Sequence, residues 1–279
     1  MTEEQNKQTP IIELNGVTKE YCLKQTFFSK GDACVLATNN IDLTIQKGEI
    51  FGLVGQSGSG KTTIGRLLVK LEEPSKGIIK MNGKPIHDLH GNALRNYRSK
   101  VQMIFQDPYQ SLNPHLSISE TILEPLIVNK IGNTITRQTK VIETLEFVGL
   151  SPGEDFYHRY PHQLSGGQRQ RVAVARAIVL GPEFIVADEP TSMMDATIAI
   201  QLFQLLLDIR KKFNITFLFI THNLAAARYL CNRIAVIHNG VIVETGIADN
   251  IIKDPQHAYT KKTDPGTTRI KLEKINRQF

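Results

Sequence analysis

The sequence predicts an α/β fold: a parallel sheet covered by helices, with a mostly helical segment inserted into it. Three observations carry that expectation. Apolar runs rich in β-branched and aromatic residues, "IFGLV", "FIVAD" and "ITFLFIT", read as strands buried on both faces. Between them lie segments of helical period, the longest placing Ile198, Leu202, Leu205, Leu206, Ile209 and Phe213 on one face. From about Ser119 to Val179 the chain is helix-forming almost throughout.

In chain order, "IIELNGV" and "IDLTIQKGE" read as strands separated by a Lys-rich, Gly-containing insert from Cys22 to Asp32, and "IFGLVG" follows as a third. Lys61 to Leu71 reads as a helix, "GIIKMNG" as a strand, and "VQMIF" as a buried strand before a Pro-marked loop. In the helical stretch, caps are expected at Ser119 and Thr136, with breaks at Pro152-Gly153 and Pro161. After "FIVAD", the long helix and "ITFLFIT", the runs "RIAVIHNG" and "VIVETG" form a hairpin turning at Asn239-Gly240, with a short helix near Asp249. No internal repeat or sustained heptad is present.

Length and composition set bounds. The 279 residues, 41% hydrophobic, suffice for one large or two modest domains with a real core. The longest apolar stretches fall far short of the roughly 18 residues of a membrane-spanning helix. The start, "MTEEQNKQTP", lacks the basic and apolar regions of an export signal, so the chain is expected to stay in the cytosol. Cys22, Cys34 and Cys231 match neither a disulfide framework nor zinc spacing and are read as reduced and structural. Of the net charge of +6, residues from Lys261 onward hold +4, through Lys261, Lys262, Arg269, Lys271, Lys274 and Arg277 against Asp264 and Glu273. The body is nearly neutral, which disfavours nucleic acid as a partner.

Two motifs carry chemistry by themselves. "GQSGSGKTT", that is Gly55, Gln56, Ser57, Gly58, Ser59, Gly60, Lys61, Thr62 and Thr63, fits G-x-x-x-x-G-K-[ST] between a strand and a helix. Its glycines let backbone N–H groups wrap phosphates, Lys61 reaches β/γ oxygens, and the Thr62 hydroxyl is placed for Mg²⁺. "FIVADE" ends a buried strand in Asp188, a candidate metal ligand, followed by Glu189, a candidate to polarise an attacking water. A third stretch, "LSGGQRQRV", runs a glycine turn into a helix start, a second anion cradle that lacks a lysine. Gln106 and His222 follow strands whose ends belong on the ligand-binding edge of a parallel sheet, and Tyr21 precedes the phosphate loop by about one hairpin. Singly, each of these three is an ordinary turn or surface residue.

Taken in order, "GQSGSGKTT", Gln106, "LSGGQ", "FIVADE", "SMMD" and His222 resemble the nucleotide-binding subunit of an ABC transporter, over Ile11 to Lys261. The resemblance implies a P-loop NTPase core with a parallel sheet, an antiparallel β subdomain and an inserted helical subdomain at about residues 107–180, the ABC ATPase type. It frames residues 1–10 and 262–279 as tails. It implies that Tyr21 stacks on adenine, Gln106 links metal and water to the helical subdomain, and His222 contacts the γ-phosphate. Ser165, Gly166, Gly167 and Gln168, with Asp195 of the D-loop, would meet the nucleotide held by a second ATPase subunit, a copy or a related chain. ATP and Mg²⁺ are the implied cofactors. Transmembrane permease subunits are the implied direct partners, and an extracytoplasmic solute-binding protein an indirect one. The implied place is the cytoplasmic face of the cell membrane.

"FQDPYQSLNPHLSISETILEPL", "RYPHQLSGGQRQRVAVARA" and "HAYTK" are similar to ATPase subunits of oligopeptide, dipeptide and nickel importers. The chain departs from the pattern at Met193 and Met194, where the D-loop usually reads Ala-Leu, and at Ala258, where the subfamily usually has proline. It also lacks the cysteine cluster of some related subunits. The expected activity is ATP hydrolysis coupled to solute uptake. The competing class, a soluble ABC-type ATPase acting on nucleic acid or ribosomes, usually brings coiled-coil insertions, zinc modules or tandem cassettes, and none is seen here.

Overall fold

The computed structural model describes residues 9–23 and 33–262. Residues 1–8 and 263–279 of the expected tails, and 24–32 of the expected insert, lie outside it. The chain divides into two compact units, one from the described parts of Met1–Asp88 and Leu218–Phe279, the other from Leu89–Phe217.

The first unit begins with β1 (Ile12–Leu23), β2 (Ala33–Ile45), β3 (Ile50–Val54), α1 (Lys61–Leu68), β4 (Lys76–Met81) and β5 (Lys84–Pro85). The second holds α2 (Gly91–Lys100), β6 (Val101–Ile104), α3 (Pro108–Ser111), α4 (Ile118–Val128), α5 (Thr134–Phe147), α6 (Gly153–Tyr157), α7 (Gly166–Ile178), β7 (Phe184–Asp188) and α8 (Ala196–Phe213). In β8 (Thr216–Thr221) the chain passes back to the first unit, which it completes with α9 (Leu224–Leu230), β9 (Arg233–His238), β10 (Val241–Ile247), α10 (Ala248–Lys253) and α11 (Ala258–Lys262).

In the first unit β2-β1-β4-β5 form an antiparallel sheet. Period 2 decides its faces: Ile41, Leu43 and Ile45 are buried while Asp42 and Thr44 between them are exposed. The other strands of this unit follow the order β10-β9-β3-β8, with β3 parallel to β9. Every residue of β3 is buried, which is why it reads as an unbroken apolar run. β9 and β10 make the expected hairpin. Asn239 and Gly240 both take positive φ, 49° and 76°, the two left-handed residues that a type I′ turn requires. In the second unit the order is β8-β7-β6, β6 and β7 being parallel with Ile104 opposite Ala187.

Two expectations are corrected. Cys22 and Cys34 are not reduced: the β1–β2 register sets them opposite each other, and they form a disulfide with Cα atoms 4.1 Å apart. β1 runs on through Cys22 rather than ending at Val17, so the insert that hid the pairing is shorter than its composition implied. Cys231 is free and buried, as expected, and burial pushes its thiol pKa up. The helix caps also move. α4 is capped by Ser117, whose hydroxyl accepts the Glu120 N–H at 3.2 Å while the Glu120 carboxylate takes the Ser117 N–H at 2.7 Å. α5 is capped by Asn133, whose side chain accepts the Thr136 N–H at 3.0 Å. Ser119 lies inside α4, and Thr136 serves as the reciprocal third residue of its helix, accepting the Asn133 N–H.

Candidate functional site

Gly55–Thr63 joins β3 to α1 as expected, and its geometry explains its glycines. A Cβ at Gly55 would stand 2.3 Å from the Ile237 carbonyl oxygen, and one at Gly60 2.3 Å from that of Ala37. Gly58 and Gly60 also hold positive φ, 78° and 101°. The loop is buttressed from the β9–β10 turn, since the Gly240 N–H donates to the Ser59 carbonyl at 3.1 Å. The Lys61 ammonium is buried and folds back on the loop, donating to the carbonyls of Gly55 at 2.9 Å and Gln56 at 2.8 Å. Two features mark an anion cradle. Gly60 caps α1 with no side-chain hydrogen bond, which leaves the helix start to a ligand, and the buried Ser59 hydroxyl has no partner among the described residues. A polyphosphate oxygen fits both needs.

Tyr21 and His222 belong to the same unit. Tyr21 lies in β1, and its hydroxyl donates to the Glu72 carboxylate. Burial, and then the hydrogen bond to Glu72, hold its phenol above the usual pKa, and the Thr63 side chain also bonds to it. Tyr21 is 39% exposed, with the Lys19 ammonium 5.2 Å from its ring centre. His222 is exposed just after β8, and the residue before it, Thr221, accepts the Gly55 N–H at 3.4 Å. The strand order thus sets His222 next to a residue that touches the phosphate loop.

In the second unit, β6 and β7 are parallel neighbours, so Gln106 and the Asp188-Glu189 pair leave the same edge. Asp188 is buried at the strand end. Glu189 turns out of the strand with φ 43°, a left-handed conformation costing about 1–3 kcal/mol at a non-glycine residue, and ends the strand's alternation there. Past the exposed Gln106, the Asp107 carboxylate caps α3 by accepting the Tyr109 N–H at 2.7 Å, with Pro108 at the first helical position. Arg176 of α7 donates to the Ser111 carbonyl at 3.3 Å, tying this loop to the helix that opens with the "LSGGQ" signature.

Ser165 is the N-cap of α7, accepting the Gln168 N–H at 3.3 Å while the Gln168 side chain accepts the Ser165 N–H at 3.0 Å. The Gly166 and Gly167 amides thus start a helix that presents its positive end. A Cβ on Gly167 would sit 3.1 Å from Ile198 in the first turn of α8, and Asp195 caps that turn through the Thr197 and Ile198 N–H groups. Signature turn and D-loop are therefore neighbours, and Met193 is exposed.

The family model for the ABC transporter matches residues 38–192, more than half of the chain. The chain belongs to the ABC transporter family. Among its relatives in this family, the oligopeptide transport ATP-binding protein OppF of Streptococcus mutans is 44% identical over 257 residues, covering 89% of this chain and 83% of that protein. The dipeptide transport ATP-binding protein DppF of Lactococcus lactis is 47% identical over 228 residues, 81% of this chain and 72% of that one. Among solved structures, the dimeric ATP-binding cassette MJ0796 in a post-hydrolysis state with ADP and Pi superposes with a TM-score of 0.74 at 31% identity, covering 85% of this chain and 98% of that one. The fold is that of an ABC ATPase cassette. Among the described residues no helix is long and apolar enough to cross a membrane.

Sequence reasoning missed Glu72, which holds Tyr21, and Ala37, whose carbonyl enforces Gly60. Both lie on neighbouring strands or loops, with no local pattern to mark them. It also left the "HAYTK" segment without a role, although that motif was itself visible.

Proposed function

We propose that this chain is the ATP-hydrolysing subunit of an ABC importer of peptides or a related small solute, acting on the cytoplasmic face of the cell membrane through separate permease subunits. The observation that carries the reading is the phosphate loop, with no side-chain cap on α1, a Ser59 hydroxyl unpartnered among the described residues and a buried Lys61. The names of the OppF and DppF relatives support peptide as the solute class.

Each side chain has a task in that chemistry. The amides from Gly58 to Thr63 bind the β- and γ-phosphates, and Lys61 turns from its own carbonyls to their oxygens. Tyr21 stacks on adenine, a contact worth about 1–3 kcal/mol. Glu189 accepts a proton from the attacking water, and Gln106 orients that water. His222 hydrogen-bonds the γ-phosphate. For Mg²⁺, the Thr62 hydroxyl, the Asp188 carboxylate and the Gln106 amide oxygen are hard oxygen donors of the kind that ion takes. When bound, the ion neutralises charge developing on the β- and γ-oxygens. Ser165, Gly166, Gly167, Gln168 and Asp195 act on the nucleotide of a partner ATPase subunit, so the lysine-free cradle complements a site that already has its lysine. A solute-binding protein outside the membrane delivers cargo to the permease and does not touch this chain.

Glu189→Gln tests the reading. The variant is expected to bind ATP, fail to hydrolyse it, and elute as an ATP-dependent dimer with itself or its partner ATPase on size exclusion. A monomer at saturating ATP, in the presence of that partner, overturns the shared site.

A further inference from the structure

The His257–Lys261 motif has no task in the mechanism above, yet the hydroxyl of its tyrosine reaches the phosphate loop. Tyr259 in α11 stacks on His238, ring centres 3.8 Å apart and planes 23° from parallel. Its hydroxyl accepts the backbone N–H of Gln56 at 3.4 Å. These groups all belong to the first unit.

The ring is aimed there by its own segment. Glu244 in β10 takes the N–H of Gln256 on one carboxylate oxygen at 2.9 Å and that of His257 on the other at 3.2 Å. The His257 ring nitrogen Nδ1 then accepts the Tyr259 N–H at 3.2 Å. The His238 platform is fixed as well, because it ends β9 beside Ile237, whose carbonyl faces Gly55, and Gly240, which bonds Ser59. Ile237 of β9 thus walls the loop at Gly55, Gly240 of the following turn holds it at Ser59, and Tyr259 holds it at Gln56.

The backbone of Gln56 is gripped on both sides, its carbonyl by Lys61 and its N–H by Tyr259. An ammonium that turns toward phosphate oxygens loosens its grip on the carbonyl. The hold on the N–H then keeps the first turn of the loop in register. We propose that Tyr259 is a positioning residue of the nucleotide site, through which the carboxy-terminal segment sets the conformation of the phosphate loop. The proposal rests on the reading of Gly55–Thr63 as a triphosphate cradle.

Tyr259→Phe keeps the ring on His238 and removes only the oxygen. In the full chain, titrated with MgATP by calorimetry, the variant is expected to bind about three- to fivefold more weakly, the scale of one lost long hydrogen bond. Amide exchange in the peptide containing Gln56 should quicken in the nucleotide-free variant, while its thermal midpoint stays at the wild-type value. Unchanged exchange at Gln56 overturns the proposal even if affinity falls, and so does unchanged affinity. Lys61→Ala separates the two claims. If Lys61→Ala abolishes binding and Tyr259→Phe matches wild type, the cradle stands and the role of Tyr259 falls. If wild type itself fails to bind MgATP, both fall.

Discussion

Gly60 is held by two independent constraints, a backbone φ of 101° and a wall 2.3 Å from where a Cβ would stand. The wall is the backbone of Ala37, which cannot rotate aside. Gly60→Ala is therefore expected to lower stability by about 2 kcal/mol or more, read as a lower urea midpoint at unchanged slope. Gly91 at φ 54° has nothing within 4 Å and is the control, where alanine costs about 1–2 kcal/mol from conformation alone. Lys61→Ala acts differently. It removes a buried cation that donates to the carbonyls of its own loop, so calorimetry should show nucleotide affinity lost. Residues of this kind were legible in the sequence because a phosphate loop is a local device, its glycines and lysine fixed by spacing along one turn. Glu72 was not. It meets Tyr21 across 51 positions of sequence, and nothing in "LEEPSKG" tells Glu72 from Glu73.

Helix starts follow hydrogen bonds rather than the first suitable residue. Ser117 and Asn133 cap their helices reciprocally with Glu120 and Thr136, so Ser117→Ala and Asn133→Ala should each cost about 1 kcal/mol in chemical denaturation. The displaced expectation at Ser119 came from reading a serine before an apolar run, whereas Ser117 alone has a carboxylate three residues on that can return its bond. Long elements with one buried face were visible: α8 buries Leu202, Leu205, Leu206 and Ile209, and β7 and β8 are buried throughout. Elements that bury little were not. α2 is ten residues long and buries only Tyr97, so it carries no period to read, and α11 is five residues with one buried position, Thr260. The strand ends bearing Gln106, Asp188 and His222 were legible because buried strands announce where they stop. The strand neighbours that give those ends meaning come from hydrogen bonding, which composition does not record.

The disulfide and the order of the two units are properties of the whole chain. Denatured without reductant, the protein should expose one alkylatable thiol, that of Cys231, and with reductant three, as counted by intact mass. Three thiols under both conditions would return the cysteines to the reduced state that spacing implied. The pairing escaped sequence reading because it depends on the β1–β2 register, which composition does not fix. The unit that carries the phosphate loop is discontinuous, made from both ends of the chain around Leu89–Phe217. β3 takes β9 as its parallel neighbour, and β9 begins at Arg233. During synthesis, β3 and the loop after it leave the ribosome long before that neighbour exists. A nascent chain thus displays an apolar strand whose two sheet neighbours, β8 and β9, are both made long after it, a window in which both of its edges are open to aggregation and no nucleotide site is yet complete.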